Sequence, residues 1–278
     1  SRRIGNGRGE PATFQQGQVL QIVADVRRRL RRNSLPLYEL VESRKLLLGA
    51  LEQEIDAEVA RTRSRPLPSG QVTVRQALVW MAVQAGIAAL ILFSYNWLAI
   101  ALGVVSLVPV LIYPFAKRFT WWPQVFLGLA FNWGALLLWA ARAGEVQPAS
   151  VALYVAGILW TLYYDTIYAH QDREDDALIG VKSTARLFGD NTRPWLRGFY
   201  AATVVAFAGA VILAHVGEAR VLALVVSLGG VWAMAWHLAW QMWRLDLDDP
   251  ASCLAVFRSN RDAGLIPLPF LAVAAWLG

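Results

Sequence analysis

The chain has few of the residues that build disulfides, thiolate metal centres or a charged soluble surface. Its 278 residues include one cysteine, which excludes an internal disulfide and a metal site made of several cysteines. Charged residues make up 17% of the sequence and hydrophobic residues 56%, and the mean hydropathy is +0.41. An ordinary soluble domain carries about 25% charged residues, so this chain is too apolar for that class.

The first 45 residues contain no apolar run long enough to span a bilayer. They do contain V-R-R-R-L-R-R at 26–32, and residues 1–70 hold 13 basic and 8 acidic residues of a chain whose net charge is +6. We predict a non-spanning basic arm over 1–45 that lies near anionic lipid, with a mitochondrial transit peptide as the alternative. We expect no nucleic-acid partner, since no recognition motif accompanies the charge.

Beyond residue 70 the sequence is dominated by apolar stretches, each near the length that crosses a bilayer as a helix. They cover residues 77–93, 97–113, 121–141, 150–168, 199–215, 221–243 and 264–278. The predicted fold class is therefore all-α, a multi-spanning transmembrane helix bundle with seven visible spans, formed by residues 46–278 and embedded in the lipid bilayer.

The basic residues between these stretches indicate an orientation. With residues 1–76 placed inside, the inner connections 114–120, 169–198 and 244–263 carry ten Lys or Arg residues, and the outer connections carry two. The positive-inside rule supports this placement. Every polar motif described below then lies on the inner face of the membrane.

Three carboxylates recur in the stretch D-T-I-Y-A-H-Q-D-R-E-D-D that starts at Asp165. Asp165, Asp172 and Asp176 are seven and four residues apart, so on a continuous helix they would form one stripe. A hard cation would remove their mutual repulsion, and oxygen ligands suit Mg²⁺. The alternative is a solvated acidic loop between membrane helices.

Three further polar clusters share the inner face. They are the pair Glu52 and Asp56, the Pro-stiffened loop with Arg61, Arg63 and Arg65, and the element Tyr113-x-x-x-Lys117 followed by Arg118. Acidic pairs and cations on one surface suit a metal-bound diphosphate, and an apolar membrane cavity suits a long lipid tail. Alternatively, the Arg loop contacts lipid headgroups, and the two cations after Tyr113 anchor a helix by snorkelling.

Two single residues complete the set of candidates. Asn132, in the middle of an apolar segment, should face the bundle interior, where it either lines a cavity or joins helices. Lys182 is one of two local cationic partners for the acidic stretch. A transporter should carry ionisable residues near the centres of its segments, whereas the acids here lie at the inner ends, which favours an enzyme.

Four motifs resemble the UbiA family of intramembrane prenyltransferases and occur in the family's order between Asp56 and Gly278. The acidic stretch resembles the second aspartate-rich motif, and R-T-R-S-R-P-L-P-S-G resembles the segment that follows the first. Y-P-F-A-K-R resembles the Tyr-x-x-x-Lys element, and W-W-P-Q-V-F-L-G-L-A-F-N-W-G fits the branch that acts on 4-hydroxybenzoate.

This resemblance implies an Mg²⁺-dependent enzyme that transfers a polyprenyl group from polyprenyl diphosphate to a ring carbon of 4-hydroxybenzoate in ubiquinone biosynthesis. It implies a bacterial cytoplasmic (inner) membrane or, alternatively, a mitochondrial inner membrane. Other acceptors of the family, such as a haem, homogentisate or naphthoate substrate, remain open, as does a non-catalytic membrane protein.

The resemblance also implies roles for individual residues. Asp172 and Asp176 would bind Mg²⁺ and through it the diphosphate, with Asp165 beside them, while Lys117 would hold diphosphate oxygens. Arg118 would steer the carboxylate of the acceptor. Asp56 would be the last acid of the first motif, with Glu52 before it as a further metal ligand. The other candidate substrate ligands, named from the motifs themselves, are Arg61, Arg63, Arg65, Tyr113, Asn132 and Lys182.

The chain departs from the family pattern in its first motif, Asn-Asp-x-x-Asp-x-x-x-Asp. With Asp56 as the last acid, the other three positions hold Leu48, Gly49 and Glu52. Leu48 and Gly49 offer no oxygen ligand, and the family has nine spanning helices where seven are visible here. We therefore expect weaker support of the diphosphate from this side and lower turnover.

Overall fold

The computed structural model describes residues 66–67, 69–178, 180–217 and 220–277, all of them in helices, turns or connections. The chain falls into two units, residues 1–85 and 86–278, and each is described by itself. The basic arm and the five candidates between Glu52 and Arg65 lie outside the described residues, so these predictions stand on the sequence.

Twelve α-helices make up the part of the chain that the structure describes. They are α1 Val74–Phe93, α2 Trp97–Val105, α3 Leu107–Phe119, α4 Pro123–Phe131, α5 Gly134–Ala143, α6 Pro148–Ala169, α7 Arg173–Leu178, α8 Thr184–Phe188, α9 Thr192–Ala214, α10 Val221–Arg244, α11 Pro250–Leu265 and α12 Pro267–Leu277. Within the described residues, five helical stretches are long and apolar enough to cross a membrane: Val74–Phe93, Trp97–Phe119, Pro123–Ala143, Thr184–Ala214 and Val221–Arg244. The all-α membrane fold predicted from the sequence is confirmed, but two of the seven predicted spans, 150–168 and 264–278, are not among these stretches.

Two stretches predicted as single spans are broken helices. The first break is at Ser106, whose hydroxyl donates a hydrogen bond to the carbonyl of Gly103 at 2.6 Å. The second is at Asn132, whose side-chain amide donates to the carbonyl of Gly128 at 2.9 Å. Both side chains compete with the backbone for helical hydrogen bonds, and a reading of apolar runs does not detect such competition.

The two longer inner connections are not loops throughout, and the prediction of connections 169–198 and 244–263 is wrong in this respect. Helix α9 begins at Thr192, and α11 occupies Pro250–Leu265. Asp249 caps α11 by accepting hydrogen bonds from the backbone amides of Ala251 and Ser252. Because α11 combines polar and apolar residues, its sequence does not stand out as an apolar stretch.

Helix α6 is the central helix of the larger unit and packs against α4, α9 and α11. Its Tyr163 and Ile167 are fully buried, and the Tyr163 hydroxyl donates a hydrogen bond to the carbonyl of Leu238 in α10 at 3.2 Å. Its last turns carry Asp165, so the acidic end of α6 is held from several sides.

Candidate active site

Three helices bring a carboxylate, an ammonium and an amide together beside the last turns of α6. The carboxyl group of Asp165 is hydrogen-bonded by the side chain of Gln124 at the start of α4. The ammonium of Lys117, near the end of α3, stabilises the same carboxylate electrostatically. Lys117 and Asp165, predicted to share one face, are therefore neighbours.

Gln124 is a residue that the sequence analysis missed. Its side chain is 2% exposed, and its carbonyl oxygen is buried without a hydrogen-bond partner among the described residues. Its position directly after Pro123, in an otherwise apolar segment, was the available signal. A buried amide with a spare acceptor beside a carboxylate suits a site that receives a polar group.

Asp172 and Asp176 follow α6 on a different course from the one predicted. Helix α6 ends at Ala169, a 3₁₀ turn covers His170–Asp172, and α7 starts immediately after it. Since a 3₁₀ turn has 3.0 residues per turn instead of 3.6, the continuous helix assumed for the stripe of three carboxylates is interrupted between Asp165 and Asp176.

Among the described residues, no group of three His, Cys, Asp or Glu side chains lies close enough to hold a metal ion. Asp172 is partly buried and Asp176 is 8% exposed, and Asp176 follows Asp172 by four residues in the sequence. Their carboxylates are suitable ligands for a hard cation, but the described part of the chain does not complete a metal site with them.

Hydrogen bonds link the segment that follows α7 in the chain to α3, the helix that carries Lys117. The backbone amide of Val181 donates to the carbonyl of Asp176 at 2.9 Å, and the guanidinium of Arg186 donates to the same carbonyl at 3.2 Å. The backbone amide of Lys182 donates to the carbonyl of Lys117 at 3.2 Å. The second acidic segment and the lysine are thereby joined through main-chain contacts.

The side chain of Lys182 also contacts the end of α3. Its ammonium donates a hydrogen bond to the carbonyl of Phe119 at 3.3 Å and lies 5.9 Å from the ring centre of Trp121. A cation is favourable at a helix C-terminus because the last carbonyls have no helical partners. Lys182, which the sequence predicts to bind substrate, therefore makes its contacts in the structure with Phe119 and Trp121.

Tyr113 lies within electrostatic reach of Asp165, Tyr164 and Tyr168. Tyr164 and Tyr168 are one helical turn apart on α6. Their ring centres lie 5.8 Å and 4.4 Å from the ring centre of Phe257 in α11. Tyr113 thus lies near the Asp165 carboxylate and near aromatic side chains of α6, and its role in binding substrate stays a prediction. Arg118 is exposed on α3, with its guanidinium 5.9 Å from the ring of Phe115.

Asn132 combines the two roles that the sequence left open. Its amide donates to the hydroxyl of Thr161 at 2.9 Å and so joins the break between α4 and α5 to α6. A Cβ added at Gly157 would lie 2.2 Å from the Asn132 carbonyl oxygen, so glycine is needed for this close approach. Asn132 also lines the cavity described next.

A cavity of about 910 Å³ lies in the larger unit, between α4 to α6 and α9 to α12. Its lining is mainly apolar and aromatic and includes Phe131, Leu138, Leu153, Trp160, Phe207, Met234, Leu268 and Leu271. Its polar lining residues are Asn132, Arg142, Gln147 and Thr203. Along α6 every lining residue precedes Asp165, and none of Asp165, Lys117 and Gln124 lines the cavity.

Residues 50–261 match the model of the UbiA prenyltransferase family. The chain belongs to the UbiA prenyltransferase family. It is 47% identical over 216 residues to the mitochondrial 4-hydroxybenzoate polyprenyltransferase of Aedes aegypti, an overlap of 77% of this chain and 47% of that protein. The human protein of the same name is 46% identical, over 77% of this chain and 56% of its own length.

The Arabidopsis thaliana protein of that name is 45% identical over 78% of this chain and 52% of its own length. The chain thus spans about half the length of the curated relatives it matches. An apo structure of a UbiA homolog from Aeropyrum pernix K1 superposes with a TM-score of 0.62 at 23% identity, covering 80% of each chain. This likeness shows that the fold is that of UbiA proteins. Members of the family generally use a divalent metal.

Replacing Lys182 with methionine should lower kcat of this UbiA protein about tenfold and change KM less. The reason is that the Lys182 ammonium binds the carbonyl of Phe119 at the end of α3 and does not bind a phosphate. Lys182→Arg should recover most of the loss, because its guanidinium can also donate to the Phe119 carbonyl. Steady-state kinetics would check this. A rise in KM for the diphosphate substrate with unchanged kcat would instead support direct substrate binding.

His170, in the turn after α6, is held in its neutral form. The hydroxyl of Thr192 donates to the carbonyl of Gly189 at 2.7 Å, so it must accept its 3.2 Å hydrogen bond from Nε2 of His170. Nδ1 is buried with no described partner. Burial, assisted by Arg173 and opposed by Asp248, lowers the pKa of His170 from 6.5 to about 4.

The unfolded chain therefore takes up a proton at His170 more readily than the folded chain. Burial of neutral His170 therefore adds to the free energy of unfolding in full only above pH 6.5, and this contribution is lost as the pH falls toward 4. The free energy of unfolding should fall by roughly 1–2 kcal/mol between pH 7 and pH 5 from this residue. His170→Gln keeps a donor for Thr192 without titrating, so its melting temperature should fall less over this range. His215→Gln is the control, and equal pH dependence of all three proteins would contradict the assignment.

Proposed function

We propose that the chain transfers a polyprenyl group from polyprenyl diphosphate to a ring carbon of 4-hydroxybenzoate. One observation carries the proposal: the Asp165 carboxylate, stabilised by Lys117 and Gln124, and an apolar cavity share helix α6, within a chain related to proteins of that name. A polar head and a long apolar tail would each find a suitable environment there.

In the proposed reaction the bond between C1 of the prenyl chain and the diphosphate oxygen breaks, and its electron pair leaves with the diphosphate. A bound Mg²⁺ would neutralise the charge that develops on the leaving group. Lys117 would bind the diphosphate oxygens, and Asp165 with Gln124 would keep the ammonium beside them.

The ring carbon ortho to the phenol of 4-hydroxybenzoate would then attack the allylic cation and form the new carbon–carbon bond. The ring proton then passes to the released diphosphate or to water, which restores the aromatic ring. Arg118, exposed near the end of α3, would bind the carboxylate of the acceptor. The apolar lining of the cavity beside α6 would keep water from the cation.

For the metal we propose Mg²⁺, held by Asp172 and Asp176. The carboxylate donors suit this ion, which usually takes one or two carboxylates together with substrate phosphates and water. Glu52 and Asp56 are proposed to complete the site from the first motif, and the loop with Arg61, Arg63 and Arg65 to bind diphosphate. These five residues enter the proposal from the sequence alone.

We place the reaction in the mitochondrial inner membrane. The relatives described above are mitochondrial proteins by name, and five helical stretches of this chain are suited to a bilayer. The product would be an intermediate of ubiquinone biosynthesis.

The test is incubation of membranes that contain the chain with Mg²⁺, a polyprenyl diphosphate and each of three acceptors: 4-hydroxybenzoate, homogentisate and a dihydroxynaphthoate. We expect mass spectrometry to find a ring-prenylated product with 4-hydroxybenzoate at a yield at least about tenfold above the others. Preferential prenylation of another acceptor would assign the chain to a different branch of the family.

A further inference from the structure

The side chain of Arg186 in α8 joins the acidic segment to the connection between α3 and α4. Its Nη1 atom donates hydrogen bonds to the backbone carbonyls of Asp176, at 3.2 Å, and of Val181. Its guanidinium carbon lies 5.4 Å from the ring centre of Trp121, which follows the helix that carries Lys117. A single guanidinium therefore links the end of α7 to the end of the helix of Lys117.

The two carbonyls lie at the C-terminal end of α7. The backbone amide of Val181 donates to the carbonyl of Asp176 at 2.9 Å, across Gly180 with its left-handed φ of 77°. A hydrogen bond of this kind over a left-handed glycine is the Schellman motif, which ends a helix by satisfying its last carbonyls. Arg186 supplies a further donor to the Asp176 carbonyl and binds that of Val181, so it completes the helix end.

Helix α7 depends on contacts outside itself because it has only six residues. An isolated helix of this length is unstable in water, so the contacts at its ends decide where it lies. Asp172 directly precedes α7, and Asp176 is its fourth residue. Both proposed metal ligands are therefore placed by the contacts that hold this short helix.

The backbone of Arg186 is itself anchored to the central helix. Ser183 caps α8 by accepting a hydrogen bond from the backbone amide of Arg186 at 3.4 Å. The hydroxyl of Thr184, the next residue, lies 2.7 Å from the hydroxyl of Thr166 in α6, and both threonines are fully buried. A buried hydrogen bond between hydroxyls is costly to break, so it fixes the start of α8 on α6. The guanidinium is thus carried by an anchored helix.

We propose that Arg186 is a positioning residue for prenyl transfer, which holds Asp172 and Asp176 in place relative to Lys117. This inference rests on the proposed function. Arg186 contacts two carbonyls and an indole, so it acts on the diphosphate through the position of α7. A misplacement of about 1 Å can slow a reaction about 100-fold, so a partial displacement of α7 should cost about tenfold.

The first test combines hydrogen–deuterium exchange with kinetics on Arg186→Met, which removes the donors and keeps an apolar stem beside Trp121. The backbone amides of Val181 and Lys182, bonded to the carbonyls of Asp176 and Lys117, should exchange about tenfold faster in the membrane-inserted protein. In membranes with Mg²⁺, kcat/KM for a polyprenyl diphosphate should fall about tenfold. KM for 4-hydroxybenzoate should stay within about twofold.

The second test is Gly180→Ala, which strains the same helix end because of its positive φ and leaves the charge of Arg186 in place. It should lower kcat/KM about tenfold. The double variant with Arg186→Met should lose at most about twofold more than the poorer single variant, whereas independent effects would multiply. The matched control is Gly217→Ala, at a φ of 87° with no atom within 4 Å of the added Cβ. Its kcat/KM should stay within about twofold of the unaltered chain.

Unchanged exchange of the two amides in Arg186→Met, or losses that multiply in the double variant, would overturn the inference. If Arg186→Met does not accumulate in the membrane, Trp121→Leu decides, since loss of the indole should speed exchange of the same amides at least about threefold. No change there would also overturn it. Absence of product with the unaltered chain would refute the proposed function and with it this inference. Normal kcat/KM in Arg186→Met beside an active unaltered chain would refute the inference alone, so the two failures are distinguishable.

Discussion

Asp176→Ala and Asp172→Ala should each lower prenyl transfer at least about 100-fold, a loss of roughly 2.7 kcal/mol of transition-state stabilisation. Each change removes one of the two carboxylates proposed to hold Mg²⁺ against the leaving diphosphate. Asp176 is also the more buried of the two, so its negative charge acts in a less polar environment.

The matched control is Glu174→Gln, which removes an exposed carboxylate from the same short helix, α7. Its turnover should remain within about twofold of the unaltered chain. Diphosphate release in a single turnover measures the effect without a contribution from product departure. Near-normal release in both aspartate variants would remove these residues from the site.

Lys117→Ala should weaken binding of the prenyl diphosphate roughly 30-fold, in line with the loss of a hydrogen bond between charged groups. Lys117 stabilises the Asp165 carboxylate electrostatically, so the two charges support each other beside the last turns of α6. If Lys117 only anchored α3 at the membrane surface, its loss would instead reduce insertion and leave diphosphate affinity unchanged.

Equilibrium binding of a non-hydrolysable prenyl diphosphate analogue would separate these two roles, with the amount of membrane-inserted protein measured in parallel. Lys117→Arg should retain most of the affinity because it keeps the charge. Arg197→Ala, which removes an exposed cation from α9, should change neither quantity and serves as the control.

The membrane fold was predictable because apolar runs of spanning length are a strong sequence signal. The breaks at Ser106 and Asn132 were not, since each lies inside an otherwise apolar run and depends on a side-chain hydrogen bond to the preceding turn. Helix α11 was missed for the opposite reason, because Arg258, Arg261 and Asp262 make it too polar to resemble a span.

Within the site, the sequence motifs indicated Lys117 and Asp165 but did not show that Lys117 stabilises the Asp165 carboxylate. Gln124 was missed, since it lies in an otherwise apolar segment and belongs to no charged pattern. The three-carboxylate stripe was predicted on the assumption of a continuous helix, which the turn at His170–Asp172 interrupts. Long-range contacts and local changes of helix type are set by packing, which periodicity does not report.

The most direct test of the account measures diphosphate release and ring prenylation together in membranes that contain the full chain, Mg²⁺, a polyprenyl diphosphate and 4-hydroxybenzoate. The account predicts equal amounts of the two products, both lost when EDTA removes the metal, and a higher rate when Leu48→Asn and Gly49→Asp add oxygen ligands to the first motif. Prenylation that persists in EDTA, or no prenylated 4-hydroxybenzoate from either protein, would contradict it.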